Sequence, residues 1–140
     1  MAFSQYLADS VLNWFKGTAF PTELSDVYIS VHTADPGVSG TTGDVTLSIR
    51  GTANRTQQSS ASFSAATNAS GGGREITNTT VVQVTSNAQN AAPVTVTHFV
   101  VWDAITGGNF LASGILTSQV DVLNGDTVQF NVGAMAIRMV

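Results

Sequence analysis

Few residues in this chain are of types that do chemistry, and their spacing fits no reaction. The histidines are His32 and His98. Both sit inside runs rich in β-branched and aromatic residues, VYISVHT and TVTHFVVW, which read as strands with structural faces. A general base needs a nucleophile or substrate proton within hydrogen-bond reach. His98, Asp103 and one of many serines can be drawn as a triad. In a serine-rich chain with no G-x-S-x-G elbow such a drawing carries no weight. Most of the 9 acidic residues fall at turn signals, so no carboxylate pair for glycoside hydrolysis is indicated. Asp35 and Asp44 share one loop, but their spacing matches no calcium motif, and Asp is a standard turn residue. Gly71, Gly72 and Gly73 lack the Lys-Ser/Thr that completes a phosphate-binding loop. With Cys at 0, thiolate chemistry and cysteine metal sites are excluded. The expectation is a protein with no catalytic, metal-binding or cofactor-binding residues, and not an enzyme.

The remaining composition is unusual. Charged residues make up 10% of the 140, against a common quarter, while hydrophobic residues reach 43%. Disorder goes with the opposite balance, so the surface must be Ser, Thr, Asn, Gln and Gly. Such a surface is cheap to desolvate because few ions must shed water, which suits a protein covered by neighbours. The net charge of −4 and 5 scattered Lys+Arg argue against nucleic acid as a partner. No run is apolar and long enough to span a bilayer, and the N-terminus has neither the basic nor the apolar region of a signal peptide. We expect no membrane association and assembly in a cytosol. N-x-S/T triplets at Asn54, Asn68 and Asn78 are expected by chance in this composition.

One domain, residues 1–140, is expected from the length. The elements that would position any site follow from periodicity. Phe3, Tyr6, Leu7, Val11, Trp14 and Phe15 repeat at helical spacing, so residues 3–16 are expected to form an amphipathic helix, capped by Ser4 and ended at Gly17. Its aromatic face, with Tyr6 and Trp14 as core residues, is expected to cover a sheet; a docking helix is the alternative, and without basic residues on the polar face the membrane version is poor. Val27–Thr33 reads as a strand with Val27, Ile29 and Val31 on one face and Tyr28, Ser30 and His32 on the other. Residues 34–44 form a loop. Val45–Ile49 and Ala53–Phe63 are expected as short strands broken at Gly51, with Arg50 and Arg55 as solvated edge cations or one structural salt bridge. Residues 58–73 are a low-complexity polar loop. Glu75–Thr85 reads as one strand and Ser86–Ala92 as a polar turn.

Residues 93–114 are the centre of the chain. They read as two strands joined at Thr106, Gly107, Gly108 and Asn109, with Phe99, Trp102 and Phe110 as core. The run Phe99–Trp102 predicts burial on both faces. Ser118–Leu123 and Thr127–Val132 flank Asn124-Gly125, the signature of a hairpin with a type I′ turn. A last strand follows at Ala134–Val140. The sum is an all-β fold, an antiparallel β-sandwich of jelly-roll type with about eight or nine short strands and one N-terminal amphipathic α-helix.

Four segments together, FSQYLADSVLNWFKGTAF, VYISVHTADPG, THFVVWDAITGGNFLASGILT and VLNGDTVQFNVGAMAI, resemble a family of small virion proteins of tailed bacteriophages, labelled tail fibre-like or capsid decoration (cement) proteins. The resemblance runs through nearly the whole chain in the same order. It departs at residues 52–55, where the family often has an aromatic-Ala-Arg segment, and at Ala92-Pro93, where it often has Trp-Gly. It implies a structural virion protein, assembled in the host cytoplasm. The expectation drawn from it is a capsid decoration protein that binds the outside of the shell as a homotrimer, with the major capsid protein as partner. The alternative is a tail or tail-fibre component, or a receptor-binding adaptor, with tail proteins as partners. Phe3 and the Gly71, Gly72, Gly73 loop are the candidate assembly contacts.

Overall fold

A computed structural model describes residues 3–86 and 93–139. In chain order the elements are α1 (Gln5–Phe15), β1 (Asp26–His32), α2 (Thr46–Arg50), β2 (Thr56–Ser59), a 3-10 turn (Ser60–Ser62), β3 (Thr67–Asn68), β4 (Arg74–Thr77), β5 (Val82–Thr85), β6 (Val94–Trp102), β7 (Phe110–Val122), β8 (Thr127–Phe130) and β9 (Ala136–Met139). The fold is mostly β, antiparallel in every strand pair described, with one N-terminal amphipathic helix. Four strands form the main sheet in the order β2-β1-β6-β7; β3-β4-β9 and β5-β8 form two smaller ones.

Strand alternation sorts the side chains of the main sheet. Val27, Ile29 and Val31 of β1, with Phe99 and Val101 of β6, join Val82, Val84, Val128 and Phe130 of the β5-β8 pair in one buried core. That is sandwich-like packing of one sheet on another. Phe99 meets Phe130 edge-on, ring centroids 5.8 Å apart. The opposite face of the same sheet carries Val100, Trp102 and Phe110, packed with Tyr28. Residues 33–46 cover this second face: at Gly40 a Cβ would stand 2.7 Å from the Phe110 ring. Phe99–Trp102 is thus buried on both faces, as the unbroken apolar run predicts.

Several local expectations are corrected. Residues 46–50 are a helical turn, not a strand: the Asp44 carboxylate accepts from the Thr46 N–H in a turn just ahead of it, and Gly51, in the left-handed region, ends it. Within residues 53–63 only Thr56–Ser59 is strand. The stretch Glu75–Thr85 is two strands, split where Asn78 turns inward. Residues 118–122 continue β7 rather than starting a new strand. Asn124-Gly125 does not make a type I′ hairpin: only Gly125 has positive φ (+86°), and β8 pairs with β5 rather than β7. The turn, closed by Asp126 N–H to the Leu123 carbonyl at 3.0 Å, is a corner at which the chain changes sheets. The last strand is Ala136–Met139. Of the expected turn 86–92, residues 87–92 lie outside the described residues; Ser86 is buried, its N–H donating to Asp126 O.

Residues 58–73 are not a structureless loop. They contain the end of β2, the 3-10 turn and β3, and a β3-β4 hairpin with Gly71, Gly72 and Gly73 at its tip. Arg74 holds this hairpin by donating to Asn68 Oδ1 and Ala66 O, each at 2.6 Å.

Candidate functional site

Both histidines lie in strands and face each other in the β1-β6 register. His32 is fully buried, and one hydrogen-bonded row fixes its state. Trp102 Nε1 can only donate, and does so to Ser30 Oγ at 2.9 Å. Ser30 is therefore free to donate its own proton to His32 Nε2 at 2.8 Å. His32 Nδ1 then donates to the Thr42 carbonyl at 2.8 Å. Every member is satisfied with the imidazole neutral. Burial lowers the His32 pKa, against a smaller raising effect from the Thr42 carbonyl and the Asp44 charge. A serine bonded to a histidine is the start of a hydrolytic site, but Ser30 and His32 both have no exposed surface. The row ties the 33–46 loop to the sheet. His98 bonds locally, Nδ1 to Thr97 Oγ1 at 2.8 Å.

Among the described residues Arg55 forms no salt bridge, and it is half-buried rather than free in solvent. Its guanidinium lies over the Trp102 ring, 3.7 Å from the centroid. It donates to the carbonyls of Ala104 and Gly107 at 2.8 and 2.7 Å. Burial lowers its pKa, opposed by Asp44 and Asp103. Asp103 accepts from both the backbone and side-chain amides of Asn109. Loop 103–109, with Gly107 and Gly108 in it, is thereby a rigid projection at one end of the main sheet. Arg50 is also tied down, donating to Asn54 O at 2.8 Å. Asp35 accepts from the Gly37 N–H and Asp44 from the Thr46 N–H, both in turn roles. Among the described residues no group of three or more His, Asp or Glu side chains is placed to hold a metal ion.

The largest departure from expectation is α1. It begins and ends as its sequence dictates: Ser4 Oγ accepts from Leu7 N–H, and Gly17 and Thr18 close the last turn onto Trp14 and Asn13. Yet no residue of the helix is buried. Tyr6 is 37% and Trp14 57% exposed, so neither is core, and Phe15 is 76% exposed. The reason is how the helix is attached. Among the described residues, its backbone is tied to the main sheet at its root, by a Phe3–Ala112 bridge and Ser4 N–H to Leu111 O at 3.0 Å. Beyond it the connector, residues 16–25, is exposed throughout, and the second half of the helix rests on no sheet face.

Beside this root is an apolar groove of about 440 Å³. One wall is the main sheet (Val27, Val101, Leu111), the other is β4 and β9 (Ile76, Ile137, Met139). Phe3, Leu7 and Leu24 line it from the N-terminal segment. The groove lies between the main sheet and the β3-β4-β9 sheet. Gly71, Gly72 and Gly73 are exposed at their hairpin tip and are not among its lining residues. Sequence periodicity located α1 but not its exposure. Nothing in the local pattern around Asn54-Arg55-Thr56 marks the stack on Trp102, which joins residues 47 positions apart.

The described surface presents a loop held by Arg55 and Asp103, an apolar groove, and an amphipathic helix with no buried residue. The family described as Podophage GP4 fiber I protein gp80 matches residues 2–138, and the chain belongs to this family. No curated protein matches the chain.

Proposed function

We propose that the chain is a structural subunit of a phage tail fibre, located in the virion and working by contact with its neighbours rather than by turnover. The observation that carries this reading is membership, over residues 2–138, of a family described as a fibre protein. The exposed aromatic face of α1 and the open apolar groove support it, because both are surfaces that a subunit covers on assembly. Its partners are then tail proteins and copies of itself, assembled in the host cytoplasm.

Capsid decoration is the second reading, with the major capsid protein as partner. The feature favouring it is the low charge, 10% of residues, which makes the surface cheap to cover on a shell. Gold-labelled antibody against the chain, applied to intact particles, separates the two. Label on fibres supports the first reading; label spread over the shell overturns it in favour of the second.

A further inference from the structure

We infer that His32 is an acid-released latch: neutral, it locks the loop of residues 33–46 onto the main sheet, and protonated, it frees that loop while the sheets stay folded. The inference stands on the buried row around His32 and does not depend on the fibre reading.

The loop is built to move as one piece. Its own turns satisfy much of its backbone: Gly40 N–H donates to Gly37 O, Thr42 N–H to Pro36 O and Asp44 N–H to Thr41 O. It buries little apolar surface. Val38 is 85% exposed, and within residues 33–46 only Pro36, Gly40 and Thr46 are buried. Segments with few buried apolar contacts open at lower free energy than core strands. The returning limb of the loop is held against the end of β1 by Thr33 N–H to Gly43 O at 2.9 Å and Val45 N–H to Val31 O at 3.0 Å. His32 sits between these two bonds and adds its own, from Nδ1 to Thr42 O.

The latch works in one protonation state. Both ring nitrogens of an imidazolium donate. The Nδ1 bond to Thr42 survives that change; the Nε2 bond does not, because Ser30 Oγ donates there. Ser30 Oγ already receives the Trp102 Nε1–H. Accepting from His32 as well would leave the Ser30 proton without its partner, at a residue with no exposed surface. Charge opposes the cation too. His98, opposite on β6, and Arg55, stacked on Trp102, act against it; Asp44, on the loop, favours it, and burial outweighs Asp44.

A cationic His32 therefore needs water. On the sheet side, β1 and β6 cannot part without breaking the ladder from Tyr28–Trp102 to His32–His98. The loop is the cover that can lift. Its lifting uncovers Phe110, on which Gly40 is seated, and the Trp102 ring beside it. The open form binds a proton from about pH 6.5 downward that the closed form does not. Opening thus grows by up to about tenfold per pH unit, until the closed form is protonated as well.

Amide hydrogen exchange of the full chain at about pH 7.5 and about pH 5, expressed as protection factors, tests this. On acidification the Thr33 and Val45 amides are expected to lose about tenfold more protection than amides of the β1-β6 ladder. His32→Gln, which keeps His98, is expected to abolish that difference. Equal losses at loop and ladder mean global unfolding and overturn the latch. An undiminished difference in His32→Gln assigns the effect to another group and overturns it as well. Because a buried substitution can prevent folding, a second variant keeps the test decisive. Trp14→Phe, at a site 57% exposed, leaves Trp102 as the single tryptophan. Acrylamide quenching of Trp102 should rise between the two pH values with the far-UV circular dichroism unchanged; level quenching overturns the inference. Neither result bears on whether the chain is in the virion, which the particle labelling decides separately.

Discussion

Asn78 holds together more of the structure than any other single polar side chain described. Its Nδ2 donates to the carbonyls of Thr80 and Asn131 at 2.8 and 2.9 Å, and its Oδ1 accepts from Met135 N–H at 2.9 Å. It is buried, so Asn78→Ala strands these groups without water. A loss of about 2–4 kcal/mol is expected from chemical denaturation, and a loss under 0.5 kcal/mol would show that water replaces the amide. Arg55→Lys removes the planar stack on Trp102 and one of two loop bonds. About 1–2 kcal/mol should be lost, with faster amide exchange in residues 104–107 than elsewhere; uniform exchange would contradict the clamp. His32 gives a pH dependence with a defined sign. Its folded pKa lies below the ordinary imidazole value of 6.5, because burial disfavours the cation. Below about pH 6.5 the unfolded chain therefore binds a proton that the folded one does not. The contribution of neutral His32 is complete above pH 6.5 and is lost as pH falls through the folded value. Denaturation midpoints at pH 5 and 7.5 should differ more for the wild type than for His32→Gln. None of these three roles was legible as such. The alternation in Tyr28, Ser30 and His32 put them on one face, but which of them bond to Trp102 and Thr42 is decided by residues far away in the chain. Asn78 reads in the sequence as part of the strand Glu75–Thr85 and as a chance N-x-S/T triplet, not as a buried hub.

At the scale of elements, the strands that carry long apolar runs were legible, and the turns that depend on tertiary pairing were not. Residues 93–114 read as a buried hairpin because Phe99–Trp102 is apolar on both faces, and that is where β6 and β7 meet. Asn124-Gly125 carried a strong local signal for a hairpin, and tertiary structure overrode it by pairing β8 with β5. Residues 46–50 carry β-branched and aliphatic residues, yet the turn at Asp44 before them and the left-handed Gly51 after them override that preference over so short a length. Helix α1 shows the same limit from the other side: amphipathic spacing says that a face wants cover, not what covers it. A packing test belongs here. Gly114 lies opposite Phe99, and a Cβ at Gly114 would stand 2.5 Å from that ring. Its backbone is not left-handed, so Gly114→Ala tests the contact alone. It should destabilise by about 1–3 kcal/mol through displacement of Phe99. If Gly114→Ala is neutral or stabilising in thermal melts, the close fit of β6 on β7 is wrong.

For the whole molecule, what was legible was the resemblance carried by four segments in order, and the family match over residues 2–138 agrees with it. Low charge and high hydrophobicity favoured a protein covered by neighbours. In the structure the tip of α1 is exposed and an apolar groove lies between the main sheet and β4-β9. The family match supplies the setting, a phage fibre protein. Capsid and tail assignments differ most simply in number, because an icosahedral shell offers hundreds of equivalent sites and a tail only a few. The measurement that tests the account most directly is the copy number of this chain per purified particle, by quantitative mass spectrometry against the major capsid protein. The account expects a few to a few dozen copies. Hundreds of copies would contradict the fibre assignment, and absence from particles would contradict the virion role itself.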